Sequence, residues 1–183
     1  MTAAAKQIVS AFEPGTDGAA AKSRDLILDL LNHTAQPFSR DQFEPGHITC
    51  TALVRHPHSD AVLFMHHHRL HRWLLPGGHV EPEDASLSAA AAREAVEETF
   101  VQLDPAVETF LASVDVHGIP PKKQEPFHLH HDLIWCFRAA SQRIETTEEA
   151  PQVLWASETD WDRLEVAESI RQCVRRISGR ALS

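Results

Sequence analysis

Apolar residues recur at helical spacing near both ends of the chain, and short apolar runs with a two-residue rhythm lie between them. The N-terminal pattern predicts a helix over residues 2–12, broken by Pro14-Gly15 and Gly18. A second follows over residues 19–33, with Leu26, Ile27, Leu30 and Leu31 along one stripe. Pro37 and Pro45-Gly46 close this segment. Residues 47–55 (HITCTALVR) and 61–68 (AVLFMHHH) read as a hairpin joined by His56-Pro57-His58-Ser59-Asp60. Trp73-Leu74-Leu75 and a Pro76-Gly77-Gly78 break lead into a helix over residues 85–100. Residues 107–117 and 127–139 predict two long strands flanking the loop GIPPKKQEP, and residues 153–156 a short one. Ser157-Glu158-Thr159-Asp160 is a capping-type start, and Val166, Ile170, Val174 and Ile177 mark a terminal amphipathic helix. Strands mixed with helices at both ends predict an α/β domain whose sheet is covered on two faces.

Composition narrows this further. A chain of 183 residues, 43% hydrophobic and 23% charged, has enough apolar material for one domain with a sizeable core, which excludes a wholly disordered protein. No apolar run approaches the roughly 18 residues needed to cross a bilayer. Lys6 and Glu13 interrupt the start, so a signal peptide is not expected and the cytoplasm is. Seventeen Lys+Arg against 26 Asp+Glu give a net charge of −9, which argues against a stable nucleic-acid partner. Such a chain can handle phosphates only through local cations. Cys50, Cys136 and Cys173 are odd in number and far apart, which argues against a disulfide framework or a thiolate zinc site. Histidine, with 13 residues, is the unusual abundance.

The stretch Arg93-Glu94-Ala95-Val96-Glu97-Glu98 carries the clearest chemistry. On a helix, Glu94, Glu97 and Glu98 fall within one arc of about 100°, and Ala89, Ala92, Val96 and Phe100 lie opposite as the predicted packing face. Like charges one turn apart cost roughly 0.2–0.5 kcal/mol per pair, so three crowded carboxylates need cations. Arg93 supplies one, and a hard divalent ion such as Mg²⁺ could supply another. Ala90 and Ala91 on the preceding turn leave room for a ligand. The Pro76-Gly77-Gly78 turn lets the backbone approach a ligand or metal closely. The rival reading is a solvated acidic helix face.

Leu75-Pro76-Gly77-Gly78-His79-Val80-Glu81, followed by Arg93-Glu94-Ala95-Val96-Glu97-Glu98-Thr99, resembles the Nudix box of the Nudix hydrolases, G-x5-E-x7-R-E-U-x-E-E-x-G-U with U apolar. Gly78, Arg93, Glu94, Ala95, Glu97, Glu98 and Val101 match in type. Three positions depart: Asp84 stands for the first glutamate, the gap from it to Arg93 is one residue too long, and Phe100 replaces the glycine that ends the helix. The sequence places Phe100 on the packing face, adding core contact.

The resemblance implies an α/β/α sandwich around a mixed sheet, with residues 46–183 as the Nudix domain and 1–45 as a helical extension. It implies hydrolysis of a diphosphate linkage in a nucleoside diphosphate-linked small molecule. Mg²⁺ or Mn²⁺ would be held by Glu94 and Glu98, with Glu97 and the Gly78 carbonyl assisting. Arg93 would orient Glu97, and Glu97 or Glu98 would serve as general base. The alternative is a non-catalytic Nudix-fold nucleotide-binding or sensor module.

Two histidine groups stand outside the box. His66, His67, His68 and His71, with Arg69 and Arg72, read either as a cationic rim gripping phosphate or as a polar hairpin end. His128, His130 and Asp132 share one strand face, beside which Asp115 and His117 could lie. They read as a transition-metal site, a source of catalytic base, or a polar sheet face, the last being preferred. Arg69, Arg72, His79 and His130 are the substrate-binding candidates. Residues 1–45 could cover the site, make a homodimer contact or lengthen the core.

Overall fold

The computed structural model describes residues 1–122 and 125–178. In chain order its elements are α1 (Thr2–Ala11), α2 (Gly18–His33), β1 (Gly46–Arg55), β2 (Val62–His67), β3 (Arg72–Leu74), β4 (Gly77–His79), α3 (Leu87–Thr99), β5 (Phe110–Ile119), β6 (His128–Arg138), β7 (Gln152–Ala156) and α4 (Glu168–Ile177). The strands form one mixed sheet with β1 as its spine. β6 runs parallel to β1 along its whole length, from Gly46↔Leu129 to Arg55↔Arg138, and β5 continues the sheet antiparallel to β6. β2 meets β1 only at the hairpin end, Arg55↔Val62, and then pairs with β3 and β7.

The place β2 vacates is taken by β4, antiparallel to β1 at Thr49↔His79, Cys50↔Gly78 and Thr51↔Gly77. The Pro76-Gly77-Gly78 segment, expected as a break, therefore enters the sheet. Glycine makes that close pairing feasible: a Cβ on Gly77 would lie 2.7 Å from Thr51 Oγ1 and 2.8 Å from the Cys50 carbonyl oxygen.

Alternation along β1 divides the core. Ile48, Cys50, Ala52 and Val54 face α1, α2 and α3, whereas Leu53, with Ile134 and Cys136 of β6, packs under α4. Ala5, Val9, Ile27, Leu30 and Leu31 are buried in the first of these layers, so α1 and α2 lengthen the core. Leu26, placed on the predicted stripe, is instead exposed. The terminal helix starts later than expected. Ser157 and Asp160 do form a capping box, but it closes only a single 3₁₀ turn, and α4 begins at Glu168. Arg176 bonds Ser113 Oγ at 2.6 Å and Asp17 at 3.3 Å, tying α4 to β5 and to the start of α2. Arg171, Arg175, Arg176 and Arg180 form a basic cluster in the sequence, and Arg180 lies outside the described residues. No helix among the described residues is long and apolar enough to cross a membrane.

Three expectations for α3 are overturned. Its buried face consists of Leu87, Ala90, Ala91, Ala95, Glu98 and Thr99, while Val96 and Phe100 are 43% and 54% exposed. Ala90 and Ala91 leave no space for a ligand; their small side chains bring the helix close against the sheet. Phe100 adds no core contact, and the helix exit is the usual one, because Phe100 itself adopts the left-handed conformation with φ 52°. That conformation costs a residue with a Cβ roughly 1–2 kcal/mol. Phe100→Gly is therefore expected to stabilise the fold by about 1 kcal/mol, read as a higher urea midpoint at unchanged slope. A midpoint that falls would contradict this.

Candidate active site

Because α3 packs through its alanines, two of its carboxylates point towards the sheet. Glu98 is only 7% exposed, and its Oε2 accepts the Gly77 amide N–H at 2.9 Å. Burial, reinforced by the charges of Glu94, Glu149 and Glu97, pushes its pKa up to about 8. Glu94 lies against Gly78 so tightly that a Cβ there would come within 2.6 Å of Glu94 Oε1. Its pKa is also raised by burial, against the pull of Arg93. Glu97 is the outermost of the three, with its side chain 58% exposed.

Arg93 organises this ridge. Nε and Nη2 donate to the two Asp84 oxygens, each at 3.0 Å. Nη1 donates to Glu94 at 2.9 Å and to Glu97 at 3.1 Å, and Nη2 also reaches the His79 carbonyl at 3.0 Å. The forked contact holds the Asp84 carboxyl below the usual range. Asp84 is therefore Arg93's main partner, and the Glu81 amide N–H, at 2.8 Å from Oδ2, fixes it in the loop. One guanidinium cannot neutralise Asp84, Glu94 and Glu97 together, and among the described residues Glu98 has no cation as a hydrogen-bond partner. An all-oxygen donor set with surplus negative charge fits a hard divalent ion.

A further carboxylate, Glu149, was not foreseen in the sequence. Glu145 N–H bonds the Thr99 carbonyl at 2.8 Å, Thr147 Oγ1 bonds the Glu98 carbonyl at 3.2 Å, and His68 N–H bonds the Glu149 carbonyl at 3.0 Å. These contacts lay the 145–150 segment along the end of α3 and bring the Glu149 charge to bear on Glu94 and Glu98.

The first histidine group builds the β2–β3 turn. His67 Nδ1 accepts the amide N–H groups of Arg69 and Leu70, at 3.1 and 3.4 Å, and His66 packs edge-on to Trp73. Arg69 and Arg72 are exposed, and the charge of Arg69 reaches His79. Of the second group, His128, His130 and Asp132 lie on the α4 side of the sheet, with Asp115 and His117 directly opposite Asp132 and His130 on β5. Asp132 is buried and accepts Thr49 Oγ1 at 3.0 Å. His79 comes to this face from β4 and His47, unnoticed in the sequence, from β1. Thus the structure brings His79 and His130 together, sets Arg69 nearby and leaves Arg72 at the start of the edge strand β3. A polar groove lined by Arg55, His56, His58, Ser59, Asp60 and Arg138 sits at the opposite end of β1 from His47.

The NUDIX domain family model matches residues 46–177. Among solved structures, the NUDIX domain of Shewanella oneidensis NrtR complexed with ADP ribose has a TM-score of 0.54 and 21% identity, covering 73% of this chain and 86% of its own. The E. coli dihydroneopterin triphosphate pyrophosphohydrolase has a TM-score of 0.54 and 19% identity, covering 73% and 96%. A C. elegans Ap4A hydrolase has a TM-score of 0.53 and 14% identity, covering 72% and 94%. No curated protein matches in sequence. Identities this low speak for the fold alone. With an acidic helix facing a glycine strand in such a mixed sheet, and a family match over most of its length, the chain belongs to the Nudix family.

Proposed function

We propose that this chain is a divalent-metal-dependent pyrophosphohydrolase that cleaves the diphosphate linkage of a nucleoside diphosphate-linked small molecule, its catalytic domain being residues 46–183. The observation that carries this reading is the ridge of Glu94, Glu97 and Glu98, braced by Arg93 and set against the Gly77–Gly78 backbone. Glu94 and Glu98, with Glu97 and the Gly78 carbonyl, would hold Mg²⁺ or Mn²⁺. Bound there, such ions neutralise phosphate oxygens and lower the pKa of water. The chain's own groups do the rest. Arg93 holds Glu94 and Glu97 in fixed geometry, so little reorganisation accompanies the reaction. The attacking water surrenders its proton to a carboxylate of the ridge, Glu97 or Glu98, as oxygen attacks phosphorus in line and the P–O bond of the anhydride breaks. Glu149 adds a further carboxylate within electrostatic reach. Arg69, with Arg72 farther out, would meet the anionic substrate at the rim, whereas His79 and His130, candidates for the same role, face the other side of β4 from the ridge.

The substrate class is supported by the ADP ribose bound to one structural neighbour and by the compounds in the names of two others, Ap4A and dihydroneopterin triphosphate. In each, linked phosphates are joined to an organic group. A second reading, a nucleotide-binding module without turnover, is favoured by the NrtR NUDIX domain, whose structure holds ADP ribose. One experiment separates them. Purified protein is incubated with Mg²⁺ or Mn²⁺ and a panel of ADP-ribose, nucleoside diphosphate sugars and dinucleoside polyphosphates, and phosphorylated products are counted by phosphate release after phosphatase treatment. Chelator-sensitive turnover of at least one compound is expected. Tight binding with no turnover across the panel would replace hydrolysis with the binding-module reading.

A further inference from the structure

We propose that His47, His79 and His130 form a second metal site, one that takes a divalent d-block ion of the zinc class and is separate from the carboxylate ridge. One donor nitrogen of each ring lies within 4.8 Å of the other two. Nε2 of His47 and Nε2 of His79 are 3.1 Å apart. Around a tetrahedral ion with bonds of ~2.0–2.1 Å, ligand nitrogens sit ~3.3 Å from one another. Small ring rotations would close the three imidazoles on such an ion.

The surroundings of the rings point the same way. A carbonyl can only accept, so Nδ1 of His47 donates to the Gln42 carbonyl at 3.1 Å, and Nδ1 of His128 donates to the Pro126 carbonyl at 2.9 Å. A neutral imidazole held in this way presents Nε2 as a bare lone pair, the arrangement that orients metal-ligating histidines. For His47, that lone pair meets Nε2 of His79. A simple N–H···N hydrogen bond would account for this contact. It would not account for His130, whose ring packs 4.9 Å from His47 and 5.4 Å from His79. His128, with its ring 5.1 Å from His47 and 5.3 Å from His130, flanks the three rings. All three rings are withdrawn from solvent, His47 fully and His79 and His130 in part. Successive strand residues point to opposite faces, so Gly78 meets Glu94 while His79 turns away towards His47.

Cobalt alone is the probe, titrated as Co²⁺ into chelator-stripped full-length protein. One equivalent is expected to produce visible absorption of tetrahedral intensity, and Zn²⁺ should displace it. The band should persist in Glu98→Gln and be lost, with Co²⁺ affinity at least ~10-fold weaker, in His79→Gln and His130→Gln. These partly exposed positions are chosen over the fully buried His47, and circular dichroism checks that each variant is folded. A wild-type protein with no band, a band unchanged in both histidine variants, or one abolished by Glu98→Gln would each overturn the proposal. Because the readout is spectroscopic, a failure here leaves the hydrolysis reading intact, and a missing activity leaves this site intact.

Discussion

Glu98→Gln is expected to lower kcat about 10³-fold, roughly 4 kcal/mol of barrier, while making the metal-free protein more stable at alkaline pH. The two effects share one cause. Glu98 is buried near Glu94, Glu97 and Glu149, its carboxylate accepts the Gly77 backbone N–H, and its pKa rises from an ordinary 4.5 to about 8. A carboxyl whose pKa is raised by folding favours the fold below the unfolded value. That advantage is lost as pH climbs through the folded value. Metal-free wild-type protein should therefore weaken between about pH 5 and 8, while a neutral glutamine, which still accepts the Gly77 N–H, should not. At about 1.4 kcal/mol per pKa unit, discounted for relaxation, the variant gains on the order of 2 kcal/mol at pH 9. For a chain of this size that is roughly 4–8 °C in Tm. Melting curves from pH 5 to 9, with chelator and with Mg²⁺, check this. Mg²⁺ should stabilise the wild type and leave the variant largely unmoved. A variant that retains full turnover, or melts lower than wild type across the pH range, contradicts the assignment of Glu98.

Arg93→Ala is expected to be the most damaging single change to the fold near the site. It strips the forked partner from Asp84, whose side chain is 6% exposed, and frees Glu94, Glu97 and the His79 carbonyl at once. Breaking a fully buried pair costs about 3–5 kcal/mol. Arg93 keeps a quarter of its side chain in solvent, so about 2–3 kcal/mol is the better expectation, with kcat falling at least ~10²-fold. Arg93→Lys should recover part of the stability but little of the activity, because an ammonium cannot reproduce the fork that sets the carboxylate geometry. Thermal melts and steady-state kinetics on both variants test this. Arg72→Ala, which alters an exposed edge-strand side chain, is the control and should stay within about 0.5 kcal/mol of wild type. If Arg93→Lys behaves like wild type in kcat, the forked geometry is not what the ridge requires.

Much of the architecture was legible because the strands that carry the core advertise it. β1, β2 and β6 each hold a stretch of apolar residues, TALV in β1, VLFM in β2 and LIWCF in β6, and their limits emerge within a residue or two. α3 was legible as a helix but not in its orientation. Val96 and Phe100 carry the stronger apolar signal and are exposed, whereas Ala90, Ala91 and Ala95 are the residues small enough to approach the sheet. β4 could not be seen because Gly-Gly has no strand propensity of its own; it becomes a strand only against an edge that β2 has left open. His47, His79 and His130 come from three strands whose register decides whether they meet, and Glu149 from a loop held by backbone bonds that no periodicity encodes. The Arg93-Glu94-Ala95-Val96-Glu97-Glu98 motif could be recognised, but Asp84's hold on Arg93 follows from the geometry of the loop before α3.

β4 acts as a partition only three residues long. Oxygen donors press on Gly78 from one side and nitrogen donors gather at His79 on the other, while Arg93 grips the carbonyl between them. A displacement of that strip would loosen both compartments together, so an occupant of either would report on the other. Thermodynamic linkage then makes the coupling reciprocal: whatever factor one occupant contributes to its neighbour's affinity, the neighbour returns.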